Sequence, residues 1–200
     1  MKILFLHGLA SSGAYKMADM LRQLMKPCEV VAPDLPIDSS AALALVRSLC
    51  VSERPDLVVG LSWGGFLAQK LRGQRKALVN PDLHVSRLLR TRIGTMEYLS
   101  PRRDGALRFE VTEEICRKYE MLEQDEFDGL TDEERALTLG LFADGDELVH
   151  CGPEFALHYP GRAVFYPGHH LPVYPEMKYR VVPALHDFLQ AAGPTSGNNC

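Results

Sequence analysis

The sequence predicts an α/β fold, a compact and mostly parallel sheet of about six strands with helices on both faces. Three observations predict it. Short apolar runs alternate with amphipathic stretches of helical spacing along almost the whole chain. Those runs are continuously apolar, as strands covered on both faces must be. One of them, Leu57-Val58-Val59, leads straight into Gly60-Leu61-Ser62-Trp63-Gly64 and then Phe66-Leu67-Ala68, a strand, a sharp turn with serine at its tip, and a helix.

The elements follow in order. Lys2–Leu6 is the first strand; its apolar run stops at His7-Gly8, too short for the h-region of a signal peptide. Met17, Met20, Leu21, Leu24 and Met25 give residues 14–26 one apolar helical face. Residues 29–32 form a second strand, closed by Pro33-Asp34-Leu35-Pro36. Ser39 or Ser40 can cap the next helix, whose stripe is Ala42, Leu45, Val46, Leu49 and Cys50. Residues 56–59 are the third strand, residues 65–71 the helix after the turn, and Lys76–Val79 a fourth strand stopped by Asn80-Pro81. Residues 137–142 and Ala163–Tyr166 supply the fifth and sixth.

Residues 82–136 break the alternation with a helical and irregular insertion, basic in its first half and acidic in its second. An insertion there would lie over the carboxyl ends of the strands, where open α/β sheets bind ligands, so it reads as a small lid. Equally, it reads as a solvated excursion docked by Val111, Ile115, Tyr119 and Leu122. Residues 1–192 form one domain, and 193–200 are expected to be a disordered tail.

Composition narrows the function. A net charge of −4 offers no basic footprint for nucleic acid, and no apolar stretch approaches a membrane span. Five scattered cysteines, odd in number and without a C-x-x-C pair, suit free thiols in a reducing cytoplasm. Phosphate-loop, dinucleotide and H-E-x-x-H motifs are all missing, so no cofactor and no metal are expected.

A serine at the tip of such a turn needs a base within reach, and the base needs a carboxylate to fix its tautomer. Side chains at Gly60 and Gly64 would collide with the neighbouring strand and helix, so the two glycines permit the turn. The fifth strand runs into Asp144-Gly145-Asp146-Glu147, where Asp146 is the chosen acid, Asp144 an organiser of the turn and Glu147 solvent-facing. The sixth runs into Gly168-His169-His170. Two adjacent histidines cannot both point at Ser62; His169 is the chosen base and His170 the alternative. An oxyanion hole would take the backbone N–H of Trp63 and, from the loop after the first strand, that of Leu9. His7 reads as a brace of that loop. Trp63, Tyr98, Phe109 and Tyr119 could line an apolar acyl pocket or simply belong to the core.

With these pieces in register the chain resembles the α/β-hydrolase superfamily and, more narrowly, the small YqiA/YcfP-type esterases. The resemblance is carried by Phe5-Leu6-His7-Gly8 with Ser11-Ser12, Pro33-Asp34-Leu35-Pro36, Gly60-Leu61-Ser62-Trp63-Gly64-Gly65, Val79-Asn80-Pro81, Gly145-Asp146-Glu147 and Gly168-His169. It implies a compact α/β-hydrolase fold and hydrolysis of a small carboxylic ester, with Ser62, Asp146 and His169 as triad and an acyl-enzyme intermediate. The same residues would serve a thioesterase or acyltransferase, and the fold also hosts non-catalytic binding modules.

Overall fold

In the computed structural model, which describes residues 1–191, the sheet is six-stranded and entirely parallel. Its strands are β1 (Lys2–Leu6), β2 (Glu29–Val31), β3 (Leu57–Leu61), β4 (Lys76–Val79), β7 (Thr138–Ala143) and β8 (Ala163–Tyr166), in the order β2-β1-β3-β4-β7-β8. The expected tail at 193–200, with Cys200, lies outside the described residues.

Pleating divides the core in two. Ile3 and Phe5 of β1, with Leu57 and Val59 of β3, face α1 (Lys16–Leu24) and α9 (Val182–Ala191) through Met17, Leu21, Leu185 and Phe188. Leu4, Leu6 and Val58 face the other way. They meet α2 (Ser39–Glu53) through Ala42 and Val46, and α3 (Trp63–Gln69) through Phe66 and Leu67. Both layers are buried, which is why the inner strands read as unbroken apolar runs. Asp38 caps α2 by accepting from the Ala41 amide, one residue ahead of the serines expected to do so.

The insertion departs from its expected helical and irregular character. It contains α4 (Val85–Arg90), then an antiparallel hairpin of β5 (Gly94–Glu97) and β6 (Arg108–Val111), then α5 (Glu113–Gln124) and α6 (Asp132–Ala136). Only alternate hairpin residues are covered, and the outward ones are Thr95, Glu97, Arg108 and Glu110, so the strands carry no apolar run. Tyr98 N–H, just past β5, donates to Leu107 O and extends the pairing, while Leu99 N–H donates to Ala10 O and ties the hairpin to the loop after β1.

The chain then passes through α7 (Gly152–His158), β8, the short α8 (Tyr174–Glu176) and a π-helical turn (Met177–Val181) into α9. Among the described residues, no helix is long and apolar enough to cross a membrane. Cys28, Cys50, Cys116 and Cys151 are free thiols.

Candidate active site

Ser62 sits between β3 and α3 with φ 53° and ψ −118°, in the left-handed region that non-glycine residues seldom enter. Its neighbours explain how it is held there. A Cβ on Gly60 would stand 2.7 Å from the backbone carbon of Gly64, and one on Gly64 would stand 2.6 Å from the His7 carbonyl oxygen. The first contact would wedge the strand from the helix, the second would push the helix off β1. Only glycine lets the three backbones pass this closely, and the strain at Ser62 is sustained by that packing.

The hydroxyl so presented meets a histidine, but not the one expected. His170 Nε2 lies 2.9 Å from Ser62 Oγ, and His170 Nδ1 lies 2.8 Å from Asp146 Oδ2. All three side chains are buried. His169 points away, with 69% of its side chain exposed and Nδ1 2.9 Å from Glu176 Oε1. That partner raises the His169 pKa, first by its hydrogen bond and then by its charge. His169 as the residue facing Ser62 is therefore corrected to His170. Consecutive residues of an extended loop project to opposite sides, so the loop can offer Ser62 only one of them.

Asp146 is the acid the site takes up, whereas Asp144 and Glu147 are exposed. Its Oδ1 accepts from the amides of Leu148 (2.9 Å) and Val149 (2.8 Å). Those two residues thus contribute backbone donors. Burial alone would raise the Asp146 carboxyl, yet the hydrogen bonds from His170, Val149 and Leu148 outweigh it and hold the pKa below its ordinary value. An ionised Asp146 keeps the ring proton on Nδ1 and leaves Nε2 to accept from Ser62 Oγ–H.

The loop carrying His170 is pinned by a residue the sequence marked only as a strand end. Asn80 is buried, with φ 44°. Its Nδ2 donates to the carbonyls of His169 (3.1 Å) and His170 (2.9 Å) and lies 3.2 Å from the Tyr166 hydroxyl oxygen. Its Oδ1 accepts from Ala143 N–H at 2.8 Å, at the end of β7. One side chain therefore ties together the ends of β4, β7 and β8. The signal in the sequence was a polar residue directly ahead of Pro81, where the strand had to stop.

Trp63 opens α3, so its amide is one of the orphan donors at a helix start. Leu9 lies in the loop after β1, whose Gly8 passes close enough that a Cβ there would touch Ser62 Cβ at 3.6 Å. His7 braces this loop: Nδ1 lies 2.8 Å from Gly8 O, and Leu35 N–H donates to Nε2 at 3.0 Å. Trp63 and Leu9 also border a cavity of about 10 Å³ with Leu35, Ile37, Tyr98 and Phe109. Tyr119 stands behind it, where its hydroxyl accepts from Trp63 Nε1 at 2.8 Å and donates to Ile37 O. A larger cavity, about 420 Å³, is lined by Arg135, Arg162 and Leu157 at the opposite, amino ends of β7 and β8. In an open α/β sheet that is the wrong end for ligand chemistry. Among the described residues, one group with metal-ligating side chains converges, His84, Cys151 and Glu154.

The profile of an uncharacterised protein family, UPF0227, matches residues 2–150. No curated protein matches the chain by sequence. Solved structures do by shape. A methylesterase from Arabidopsis superposes with a TM-score of 0.60 at 12% identity, over 94% of this chain and 99% of its own. One of two metagenome-derived lipolytic enzymes, LipS and LipT, reaches 0.64 at 15% identity, over 95% and 93%. A meta-cleavage product hydrolase from Pseudomonas fluorescens reaches 0.53 at 17% identity, over 96% and 92%. At such identities the likeness shows the fold, and the fold is that of the α/β-hydrolases.

Proposed function

The chain belongs to the UPF0227 family, of the YcfP/YqiA type, and from that premise we propose that it is a serine hydrolase cleaving a small carboxylic ester through an acyl-enzyme. One observation carries the reading, the unbroken chain from Ser62 Oγ through His170 to Asp146 with links of 2.9 and 2.8 Å. A serine hydroxyl bonded to a neutral imidazole that is itself fixed by a buried carboxylate is the arrangement acyl transfer needs.

In this mechanism Ser62 Oγ attacks the ester carbonyl while its proton passes to His170 Nε2. Asp146 stabilises the imidazolium without taking the proton. The amides of Trp63 and Leu9 receive the oxyanion, and each such donor typically contributes about 3 kcal/mol in the transition state. His170 then gives its proton to the leaving alkoxide. Water, deprotonated by His170, attacks the acyl-serine, and the proton returns to Ser62 as the acid leaves. The acyl group enters between Leu9, Trp63, Tyr98 and Phe109. A cavity of about 10 Å³ holds roughly one water-sized group. Short acyl groups are therefore accepted as the site stands, and longer ones need the β5–β6 hairpin to lift, which gives the insertion the role of a lid.

The test is steady-state hydrolysis of p-nitrophenyl acetate, butyrate and octanoate, with the matching acyl thioesters, by wild type and Ser62→Ala. The expected result is turnover highest on the shortest oxygen ester and abolished by Ser62→Ala. Turnover that survives Ser62→Ala, or none on any activated ester, overturns the reading.

A further inference from the structure

Behind Ser62 the chain continues from Asn80-Pro81 into Asp82-Leu83-His84, and this turn faces the start of α7. The Asp82 amide donates to Ser62 O at 3.2 Å. The His84 amide donates to Asp82 Oδ1 at 2.9 Å, and the His84 ring reaches across so that Nε2 lies 2.7 Å from Glu154 Oε2. Between them the buried Cys151 Sγ accepts from Leu83 N–H at 3.4 Å. One ligand atom each from His84, Cys151 and Glu154 lies within 4.8 Å of the others.

We propose that His84, Cys151 and Glu154 form a binding site for one divalent transition-metal ion with the chemistry of zinc.

The donor set argues for that class. Imidazole nitrogen, thiolate sulfur and carboxylate oxygen are the three ligand types zinc takes, at about 2.0–2.3 Å, in a tetrahedron whose edges are then roughly 3.5 Å. Metal entry would open the present 2.7 Å His84–Glu154 hydrogen bond to such an edge and draw the nitrogen and oxygen to within that distance of the sulfur, with side chains about one third exposed. Cys151 lies at the start of α7. Its amide donor from Leu83 is the kind of outer hydrogen bond that steadies a ligating sulfur. The charges balance too: a divalent cation with one thiolate and one carboxylate is neutral, the state a partly buried site tolerates. The binding step breaks the Cys151 S–H bond, forms the metal–sulfur bond and releases one proton to solvent.

A second buried carboxyl group stands in the same surroundings. Glu126, in the turn after α5, is 2% exposed, and its Oε1 has no hydrogen-bond partner among the described residues. The charged groups facing it are Lys70, Glu123, Glu154 and Asp82, three of the four acidic. Lys70 is engaged by Leu122 O and Asp125. Glu123 is engaged by the Ser86 amide and hydroxyl. Burial first, and the neighbouring carboxylates after it, push the Glu126 carboxyl up to about 9, and its Oε1 is a buried acceptor left without a donor in these acidic surroundings. The ion would join the segment behind Ser62 to the loop that runs from Asp146 to Cys151.

Cobalt(II) is the probe, because a cobalt–thiolate bond adds a near-ultraviolet charge-transfer band that oxygen and nitrogen ligands do not give. Chelator-stripped full-length protein titrated with cobalt(II) should develop the band to saturation at one equivalent, and zinc(II) should displace it. The band should vanish in Cys151→Ser, and cobalt affinity should fall in His84→Ala and Glu154→Gln, both changes at side chains about one third exposed, with folding checked by circular dichroism. A folded wild type without the band overturns the proposal, as does a band that survives Cys151→Ser on any of the other four cysteines. Should Cys151→Ser fail to fold, unchanged cobalt affinity in His84→Ala overturns it instead. The readout does not involve ester hydrolysis, so it stands or falls apart from the function proposed for Ser62.

Discussion

His169 and His170 differ by one residue and by everything that surrounds them. One is out in solvent against Glu176, the other buried between Ser62 and Asp146. The sequence narrowed the base to this pair but could not choose, because the choice is set by the rotation of the loop, and the groups that set it come from elsewhere. Asn80 grips both carbonyls from β4, and Glu176 draws His169 outward from α8. Under the proposed mechanism His170→Ala lowers kcat by roughly 10⁶, as loss of a triad base does, whereas His169→Ala leaves it within about tenfold. Asn80→Ala leaves Ser62 and His170 intact but frees the loop. Misplacement by about 1 Å costs on the order of 10² in rate, so kcat should fall about that much with KM little changed. A steady-state comparison checks both, and equal loss in the two histidine variants would remove the distinction.

At the scale of elements, legibility followed burial. The turn at Ser62 could be read because its geometry has few sequence solutions, and Gly60 and Gly64 are required by backbone contacts on both sides. Gly60→Ala or Gly64→Ala should therefore destabilise the fold by about 3 kcal/mol or more, as forced overpacking does. Denaturant unfolding would measure it, and an unchanged midpoint would show that the backbones can yield. The β5–β6 hairpin was not legible, since its four-residue strands alternate covered positions with polar or charged ones and resemble loop in any sequence window. Yet the hairpin and the chain just past β5 supply Phe109 and Tyr98, which narrow the cavity beside Trp63. Phe109→Ala should shift ester preference towards longer acyl chains. If the ratio of octanoate to acetate kcat/KM does not rise, the acyl group lies elsewhere.

For the whole molecule, the six-stranded parallel sheet followed from unbroken apolar runs, and their two-sided burial is the reason. Burial also gives the molecule a pH dependence visible in His7. Its ring accepts from Leu35 N–H and faces Gly8 O, an arrangement that only the neutral ring can satisfy. Burial pushes its pKa down to about 4, against the hydrogen bond to Gly8 and the charge of Asp34, with Arg102 lowering it further. The folded state therefore binds a proton less readily than the unfolded chain. The stability this gives is present in full above about 6.5 and is lost as pH falls towards 4, on the order of 3 kcal/mol. Unfolding of wild type and His7→Gln between pH 4 and 7 checks this; the variant should lose that part of the slope, and identical slopes would place its origin in other groups.

Activation of Ser62 by His170 can be read by labelling with a fluorophosphonate. Wild type, His169→Ala and His170→Ala would be treated alike, checked for folding, and the adduct located by peptide mapping. One adduct, on Ser62, is expected in wild type and His169→Ala, and none in His170→Ala. A folded wild type that stays unlabelled, or labelling lost in His169→Ala and kept in His170→Ala, would contradict it.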